Sequence, residues 1–154
     1  MKILVISDTH GNYLAPLECI IDAKIEMIIH LGDNISDAKE LEPLLEIPIT
    51  KVPGNCDPSS LEPREIILDL GGRIFFITHG DHYRVKAGTD LLVQRAQQKN
   101  ADVVLYGHTH FPLVSKVEGI LLVNPGTLMA GSVMKSAAII TIKGGKLSTE
   151  IIYL

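Results

Sequence analysis

The strongest constraint on the fold is a series of short apolar runs, each of which ends in a polar or glycine-rich cluster. The runs and the clusters that follow them are KILVIS and DTHGN, EMIIHL and GDN, PITKV and PGNCD, RIFFI and THGD, DVVLY and GHTH, and ILLV and NPGT. Continuous apolar runs of this length are typical of strands that are covered on both faces. The pattern predicts a buried sheet whose strands carry polar residues at one end.

Helical segments separate the first three runs. Apolar spacing predicts helices over 13–24 and 36–46, with Pro16 in the opening turn of the first and Pro43 bending or ending the second. Alternating strands and helices in this order predict parallel strands joined by crossovers. A third helix is predicted over 89–99.

The second half of the chain contains predicted hairpins with short glycine turns: EIILDL-GG-RIFFIT, PLVSKV-EG-ILLV and SAAIITI-KGG-KLSTEIIYL. The alternation in KLSTEIIYL indicates a strand near a sheet edge. Parallel and antiparallel strands together favour an α/β fold, a two-sheet mixed β sandwich flanked by helices. Because no linker or repeat divides the sequence, we expect one domain over 1–154.

Composition excludes some classes of partner. The formal net charge is -4, which argues against a nucleic-acid or anionic-membrane surface as the main function. No apolar stretch approaches the length of a membrane span, and the N-terminal apolar run is too short for a signal peptide. The cysteines, Cys19 and Cys56, are too few for a disulfide framework. We therefore expect a cytoplasmic protein with free thiols and no membrane partner.

Several side chains that can bind metal follow the predicted strands. They are Asp8, His10, Asp33, Asn55, His79, His108 and His110. Because ligands bind beyond the carboxyl ends of parallel strands, we expect these residues to converge on one rim. The set offers only nitrogen and oxygen and exceeds what one tetrahedral site needs. It suits two ions that share a carboxylate, which in such sites lie about 3.5 to 4 Å apart.

Each motif alone also has a structural explanation. Asp8 and Asp33 could be turn or helix-capping residues, and His108 and His110 could be ordinary surface or core histidines. His30 lies inside a predicted strand, so we expect a hydrogen-bonded core histidine or a partner of a ligand. Only the combination favours metal binding.

In this order, the motifs resemble those of the calcineurin-like metallophosphoesterase family. The motifs are D-x-H at 8–10, GD at 32–33, GN at 54–55, a lone His79 and GHTH at 107–110. The short chain is similar to the small bacterial and archaeal phosphodiesterase branch, and the resemblance extends from Lys2 to about Thr127. It implies a four-layer α/β/β/α sandwich and metal-dependent hydrolysis of phosphodiesters.

The resemblance also implies a role for each ligand. Asp8, His10 and His110 would hold one divalent ion, and Asn55, His79 and His108 would hold the other. Asp33 would bridge them, and a hydroxide held by both ions would attack phosphorus in line. Asp33, Asn55 and His79 are the implied catalytic positions. Manganese is the expected metal, with iron, nickel, zinc and magnesium as alternatives.

The turn GNCD departs from the family's usual pattern at Cys56. Many members have a histidine there that helps the leaving oxygen to depart, and a thiol is a poor replacement as a proton donor. We interpret Cys56 as neither ligand nor nucleophile, and we expect Asp57 to hold the turn by local hydrogen bonds. His82 is expected to be a surface loop residue, although it could partly replace the missing acid.

Three functions remain open at this point. The resemblance favours hydrolysis of a small phosphodiester, with nucleic acid only as a possible substrate and a homo-oligomer as a family habit. A phosphomonoesterase on the same centre is one alternative. The other is a non-catalytic interaction scaffold, because the retromer subunit resembles the same small branch.

Overall fold

Two mixed β-sheets form the centre of the protein. A computed structural model describes residues 1–20 and 23–154, and within them each sheet has five strands. The strands are β1 Lys2–Ile6, β2 Met27–His30, β3 Ile49–Lys51, β4 Glu65–Leu70, β5 Arg73–Thr78, β6 Val103–Leu105, β7 Pro112–Val117, β8 Ile120–Pro125, β9 Ser136–Lys143 and β10 Lys146–Tyr153. The helices are α1 Ala15–Ile20, α2 Ile35–Leu41 and α3 Asp90–Gln98, with 3-10 turns at Glu42–Leu44 and Asp81–Tyr83.

Each sheet contains three adjacent parallel strands. The first sheet has the order β10-β9-β1-β2-β3, in which β1, β2 and β3 are parallel and β9 and β10 are antiparallel additions. The second has the order β4-β5-β6-β8-β7, in which β5, β6 and β8 are parallel and the edge strands are antiparallel. The predicted hairpins β4–β5, β7–β8 and β9–β10 are confirmed, and β10 is an edge strand as predicted.

Apolar side chains form three layers of packing. The core between the sheets includes Ile3, Val5, Ile29, Phe75, Ile77, Val103 and Ile140. Helices α1 and α2 cover the outer face of the first sheet, and α3 covers that of the second through Leu92, Val93 and Ala96. Strands buried on both faces explain the continuous apolar runs. The predicted four-layer sandwich is confirmed.

The helices are shorter than predicted. The helix expected over 13–24 is Ala15–Ile20; residues 21 and 22 lie outside the described residues, and Lys24 has a left-handed φ of 49°, so the predicted end is wrong. In the second helix, the α-helix gives way to a 3-10 turn containing Pro43, because proline cannot donate the next helical hydrogen bond. The third matches its prediction to within one residue at each end.

Among the described residues, no helix combines the length and apolarity needed to cross a membrane.

Candidate metal centre

The predicted ligands lie in loops at the carboxyl ends of parallel strands from both sheets. Asp8 and His10 follow β1, Asp33 follows β2, and Asn55 follows β3. From the second sheet, His79 follows β5 directly, and His108 and His110 follow β6. The structure brings all of these side chains to one rim.

Asp33 lies between two groups of donor atoms. In the first group, single donor atoms of Asp8, His10, Asp33 and His110 all lie within 4.8 Å of one another. In the second, those of Asp33, His79 and His108 do the same. The Oδ2 atom of Asp33 lies 3.7 Å from Nε2 of His10, whereas its Oδ1 lies 3.5 Å from Nε2 of His79. The two carboxylate oxygens of Asp33 therefore face different groups.

The hydrogen bond at Nδ1 of His79 leaves the lone pair on its Nε2 directed at the other side chains of the second group. Its Nδ1 lies 2.7 Å from the carbonyl oxygen of Leu31, so Nδ1 carries the proton that makes this hydrogen bond. In the neutral ring, Nε2 is then an acceptor. This atom lies 3.1 Å from Oδ1 of Asn55 and 3.2 Å from Nδ1 of His108. A nitrogen lone pair facing an amide oxygen fits a bound cation.

The first group contains buried polar atoms without a hydrogen-bond partner. Within the described part of the chain, Oδ1 of Asp8 and Nε2 of His10 are both buried and both unpaired. Oδ1 of Asp8 also lies 3.1 Å from Nε2 of His110. Because buried polar atoms are almost always satisfied, these atoms indicate a missing partner. Carboxylate, imidazole and amide donors suit a divalent cation.

The charges of the first group favour an ionised carboxylate. Burial is the largest effect on Asp8 and opposes its charge, but His110, His79 and Ser7 together outweigh it and lower the pKa of Asp8. The nearby carboxylate of Asp8 in turn raises the pKa of His110. Burial and the neighbouring His79 lower the pKa of His108. His108 is therefore more readily available as a neutral ligand than an exposed histidine.

The backbone turns sharply at most ligand positions. Left-handed φ values occur at Asp8 (51°), His10 (45°), Asp33 (57°), His108 (68°) and His110 (63°). Such values are uncommon for residues with a side chain and often mark functional loops. Gly54 lies close to one of the ligands, because a Cβ atom at this position would overlap Oδ1 of Asp33. The conformation of these loops therefore allows the ligand side chains to lie close to one another.

The turn at residues 54–57 is held as predicted. Asp57 accepts hydrogen bonds from the backbone N–H of Gly54 and of Ile35, each at 2.9 Å. The backbone N–H of Cys56 donates to Oδ1 of Asp33 at 2.9 Å. Partial desolvation and then the charge of Asp33 raise the pKa of the Cys56 thiol, so it stays neutral. This agrees with the interpretation that Cys56 is neither ligand nor nucleophile.

The other histidines are placed as the sequence predicted. His30 is fully buried: its Nδ1 accepts from the N–H of Gly32 at 3.1 Å, and its Nε2 lies 3.1 Å from Oγ1 of Thr9. Burial lowers the pKa of His30 to about 4. His82 is a surface residue in the 3-10 turn after β5, with Nε2 3.7 Å from the carboxylate of Asp81.

Two residues that hold these loops together were not predicted from the sequence. Oγ1 of Thr127 donates to the carbonyl oxygen of Asp8 at 2.7 Å. Nδ2 of Asn124 donates to the carbonyl oxygen of Gly107 at 2.9 Å and lies 3.1 Å from Oγ1 of Thr109. Both residues belong to the NPGT motif, which begins within β8, and the position of this motif after the apolar run ILLV was the available signal.

Comparison with known proteins agrees with the geometry. Residues 1–145 match the family model of the calcineurin-like phosphoesterase superfamily domain. The chain is 33% identical over 147 residues to a probable metallophosphoesterase of Bacillus subtilis (strain 168), covering 93% of this chain and 85% of the relative. It is 33% identical over 145 residues to a phosphodiesterase of Methanocaldococcus jannaschii, covering 82% and 83% respectively.

Solved structures show the same fold. A predicted phosphoesterase from Streptococcus pneumoniae TIGR4 superposes with a TM-score of 0.81 at 28% identity, covering 99% of this chain and 88% of that one. A Vps29 structure from Entamoeba histolytica has a TM-score of 0.79 at 18% identity, covering 100% and 99%, a likeness of fold alone. The predicted phosphoesterase identity is confirmed. The chain belongs to the calcineurin-like phosphoesterase superfamily, a hydrolytic family that uses divalent metal ions.

Proposed function

We propose that this protein is a phosphodiesterase with a dinuclear metal centre, in which Asp33 is the shared ligand. The observation that carries the proposal is the division of the Asp33 oxygens, 3.7 Å from His10 on one side and 3.5 Å from His79 on the other. A carboxylate in this position can give one oxygen to each of two ions.

The proposed ligands are divided between two ions. Asp8, His10 and His110 would hold one, Asn55, His79 and His108 would hold the other, and Asp33 would contact both. When bound, the two ions would supply positive charge for the phosphoryl oxygens and lower the pKa of a bound water. Mn²⁺ is the proposed metal, because carboxylate and amide oxygens, which suit manganese, accompany the imidazoles and no thiolate is present; iron, nickel, zinc and magnesium are the alternatives.

The chain's own residues would keep these ligands in position. The Leu31 carbonyl orients the ring of His79, and the Cys56 N–H orients Oδ1 of Asp33. Fixed ligands reduce the reorganisation needed when charge develops on the phosphoryl group, where catalysis depends mainly on positioning and electrostatics. The protein has a net charge of -4. It would therefore bind an anionic ester only at a site where bound metal ions make the local charge positive.

Two observations favour a diester over a monoester. A cavity of about 320 Å³ is lined by Cys56, the neighbour of Asn55, and a separate cavity of about 440 Å³ is lined by Thr109, between His108 and His110. A diester has two organic groups, and each could occupy one cavity. In addition, a neutral thiol at residue 56 is a weak proton donor for a poor leaving group.

The exposed free thiol of Cys56 also fits the proposed cytoplasmic location.

The test compares hydrolysis of bis(4-nitrophenyl) phosphate with that of 4-nitrophenyl phosphate in the presence of each divalent metal. The variants are Asp33→Asn and a matched control, Asp69→Asn, which changes an exposed carboxylate in the β4–β5 hairpin. We expect Mn²⁺-dependent turnover of the diester that chelator abolishes, at least about 100-fold loss in Asp33→Asn, and near wild-type activity in Asp69→Asn.

Three outcomes would contradict the proposal. Turnover of the monoester alone would indicate a phosphomonoesterase. No turnover with any divalent metal, by protein that circular dichroism shows to be folded, would favour an interaction scaffold. Calorimetric titration with Mn²⁺ should give two ions per chain, and a stoichiometry of one would rule out the dinuclear centre.

A further inference from the structure

The larger of the two cavities beside the candidate metal centre has features of a binding site for an organic group. Its volume is about 440 Å³, and its walls include Val85, Lys86, Tyr106, Thr109, Phe111 and Leu113. Small-molecule sites are typically concave and mainly apolar, with a few polar groups that set orientation. Because Thr109 lies between His108 and His110, the cavity is continuous in the chain with the metal centre.

Phe111 is an unusual side chain for a free surface. It is 71% exposed, and Leu113 in the same wall is 42% exposed. The loop that carries it is nevertheless held, because the N–H of Phe111 donates to Oγ1 of Thr109 at 3.2 Å and Thr109 contacts Asn124 at 3.1 Å. An exposed aromatic ring on a backbone that is already fixed can stack against another ring with less loss of entropy than one on a free loop.

The cavity also carries a positive charge. Lys86 is exposed in the segment before α3. It lines the same cavity as Thr109, which lies between His108 and His110. A cation at this edge complements the anionic phosphoryl group of an ester.

We propose that this cavity binds an aromatic organic group of the phosphodiester substrate, with Phe111 and Leu113 against the ring and Lys86 near an anionic phosphoryl oxygen. The proposal rests on the phosphodiesterase function and adds a substrate class, phosphodiesters with an aryl or nucleobase group. The apolar wall provides the contact area, the ring of Phe111 favours a flat partner, and Lys86 selects for the anion.

The test measures direct binding of two anions that differ only in the organic group, phenylphosphonate and methylphosphonate, to the metal-loaded protein by calorimetry. We expect phenylphosphonate to bind about 10-fold more tightly, in the range found for loss or gain of one stacked ring. Phe111→Ala should remove this preference, whereas Lys86→Met should weaken both ligands similarly. Ile67→Ala is the matched control, because Ile67 is 41% exposed and lies in the middle of β4.

The same preparations are assayed for turnover of bis(4-nitrophenyl) phosphate, which separates the two proposals. Turnover without any phenyl preference would overturn the cavity proposal and leave the phosphodiesterase intact. Absence of both turnover and phosphonate binding would overturn both. If Phe111→Ala changes the oligomeric mass in sedimentation and weakens both phosphonates equally, the wall is a subunit interface and the cavity proposal is wrong.

Discussion

Thr127 donates a hydrogen bond to the backbone carbonyl of Asp8 across 2.7 Å, although the two residues are 119 positions apart in sequence. Both are buried. The bond joins the loop after β1 in the first sheet to the loop after β8 in the second. The candidate metal centre therefore depends on how the two sheets pack together.

Replacing Thr127 by valine removes this bond with little change in volume. The carbonyl of Asp8 would lose its donor, so we expect the free energy of unfolding to fall by about 1 to 3 kcal/mol. Metal binding should weaken by about 10-fold or more, because the donor orients a ligand loop. Denaturant unfolding of the metal-free protein and Mn²⁺ calorimetry measure the two effects. Thr127→Ser keeps the hydroxyl and should stay near wild type; equal metal affinity in all three proteins would contradict this role.

Gly54→Ala tests the close approach beneath Asp33. A Cβ atom at residue 54 would overlap Oδ1 of Asp33 and lie 2.6 Å from its backbone nitrogen, so the bridging carboxylate must move. Oδ1 faces the group that contains His79, so we expect calorimetry to show loss of the Mn²⁺ site in that group. We also expect destabilisation of about 1 to 3 kcal/mol. Gly72→Ala meets no atom within 4 Å and should cost only about 1 to 2 kcal/mol of left-handed strain, with metal binding unchanged. Two intact sites in Gly54→Ala would exclude the steric argument.

His30 should make stability depend on pH in a defined window. Burial lowers its pKa from 6.5 to about 4, so between these values the unfolded chain binds a proton that the folded chain does not. The free energy of unfolding should therefore be unaffected above pH 6.5 and fall as the pH drops towards 4, by at most about 3 kcal/mol.

The comparison is between wild type and His30→Gln, both with chelator so that metal does not contribute. Glutamine can still accept from Gly32 and donate to Thr9, but it does not titrate. Urea unfolding at pH 7, 6, 5 and 4.5 should show a steeper loss of stability in wild type. Parallel curves for the two proteins would show that His30 does not supply this dependence.

Cys56→His tests the role of the altered turn. An imidazole can donate a proton near neutral pH, whereas the thiol of Cys56 has a raised pKa and donates poorly. We expect kcat/KM to change little for a 4-nitrophenyl leaving group and to rise about 10-fold for diesters with poorly leaving phenols. The measurement is the dependence of kcat/KM on leaving-group pKa, with Cys56→Ser as control. An equal change for all leaving groups would argue against a missing acid.

The sequence alone determined the secondary structure and the identity of the candidate ligands. Runs such as KILVIS and EMIIHL are apolar because both faces of their strands are buried, and that requirement is visible locally. The motifs at Asp8, Asp33 and His108 could be identified because each of these residues lies within three positions of the end of its strand. Helix ends were less predictable, since the end predicted at Lys24 falls on a residue with a left-handed φ of 49°, which a right-handed helix does not contain.

Only the tertiary structure decided how these groups relate in space. The direction of each Asp33 oxygen and the bond from Thr127 to Asp8 depend on loops from different sheets. The exposure of Phe111 beside a cavity depends on segments that are distant in sequence within the second sheet. No local periodicity encodes these relationships, because they arise when residues far apart in sequence are brought together by packing of the core. Local sequence therefore specified the strands and the ligand residues that follow them. The packing of the two sheets specified how those ligands are arranged in the candidate metal centre.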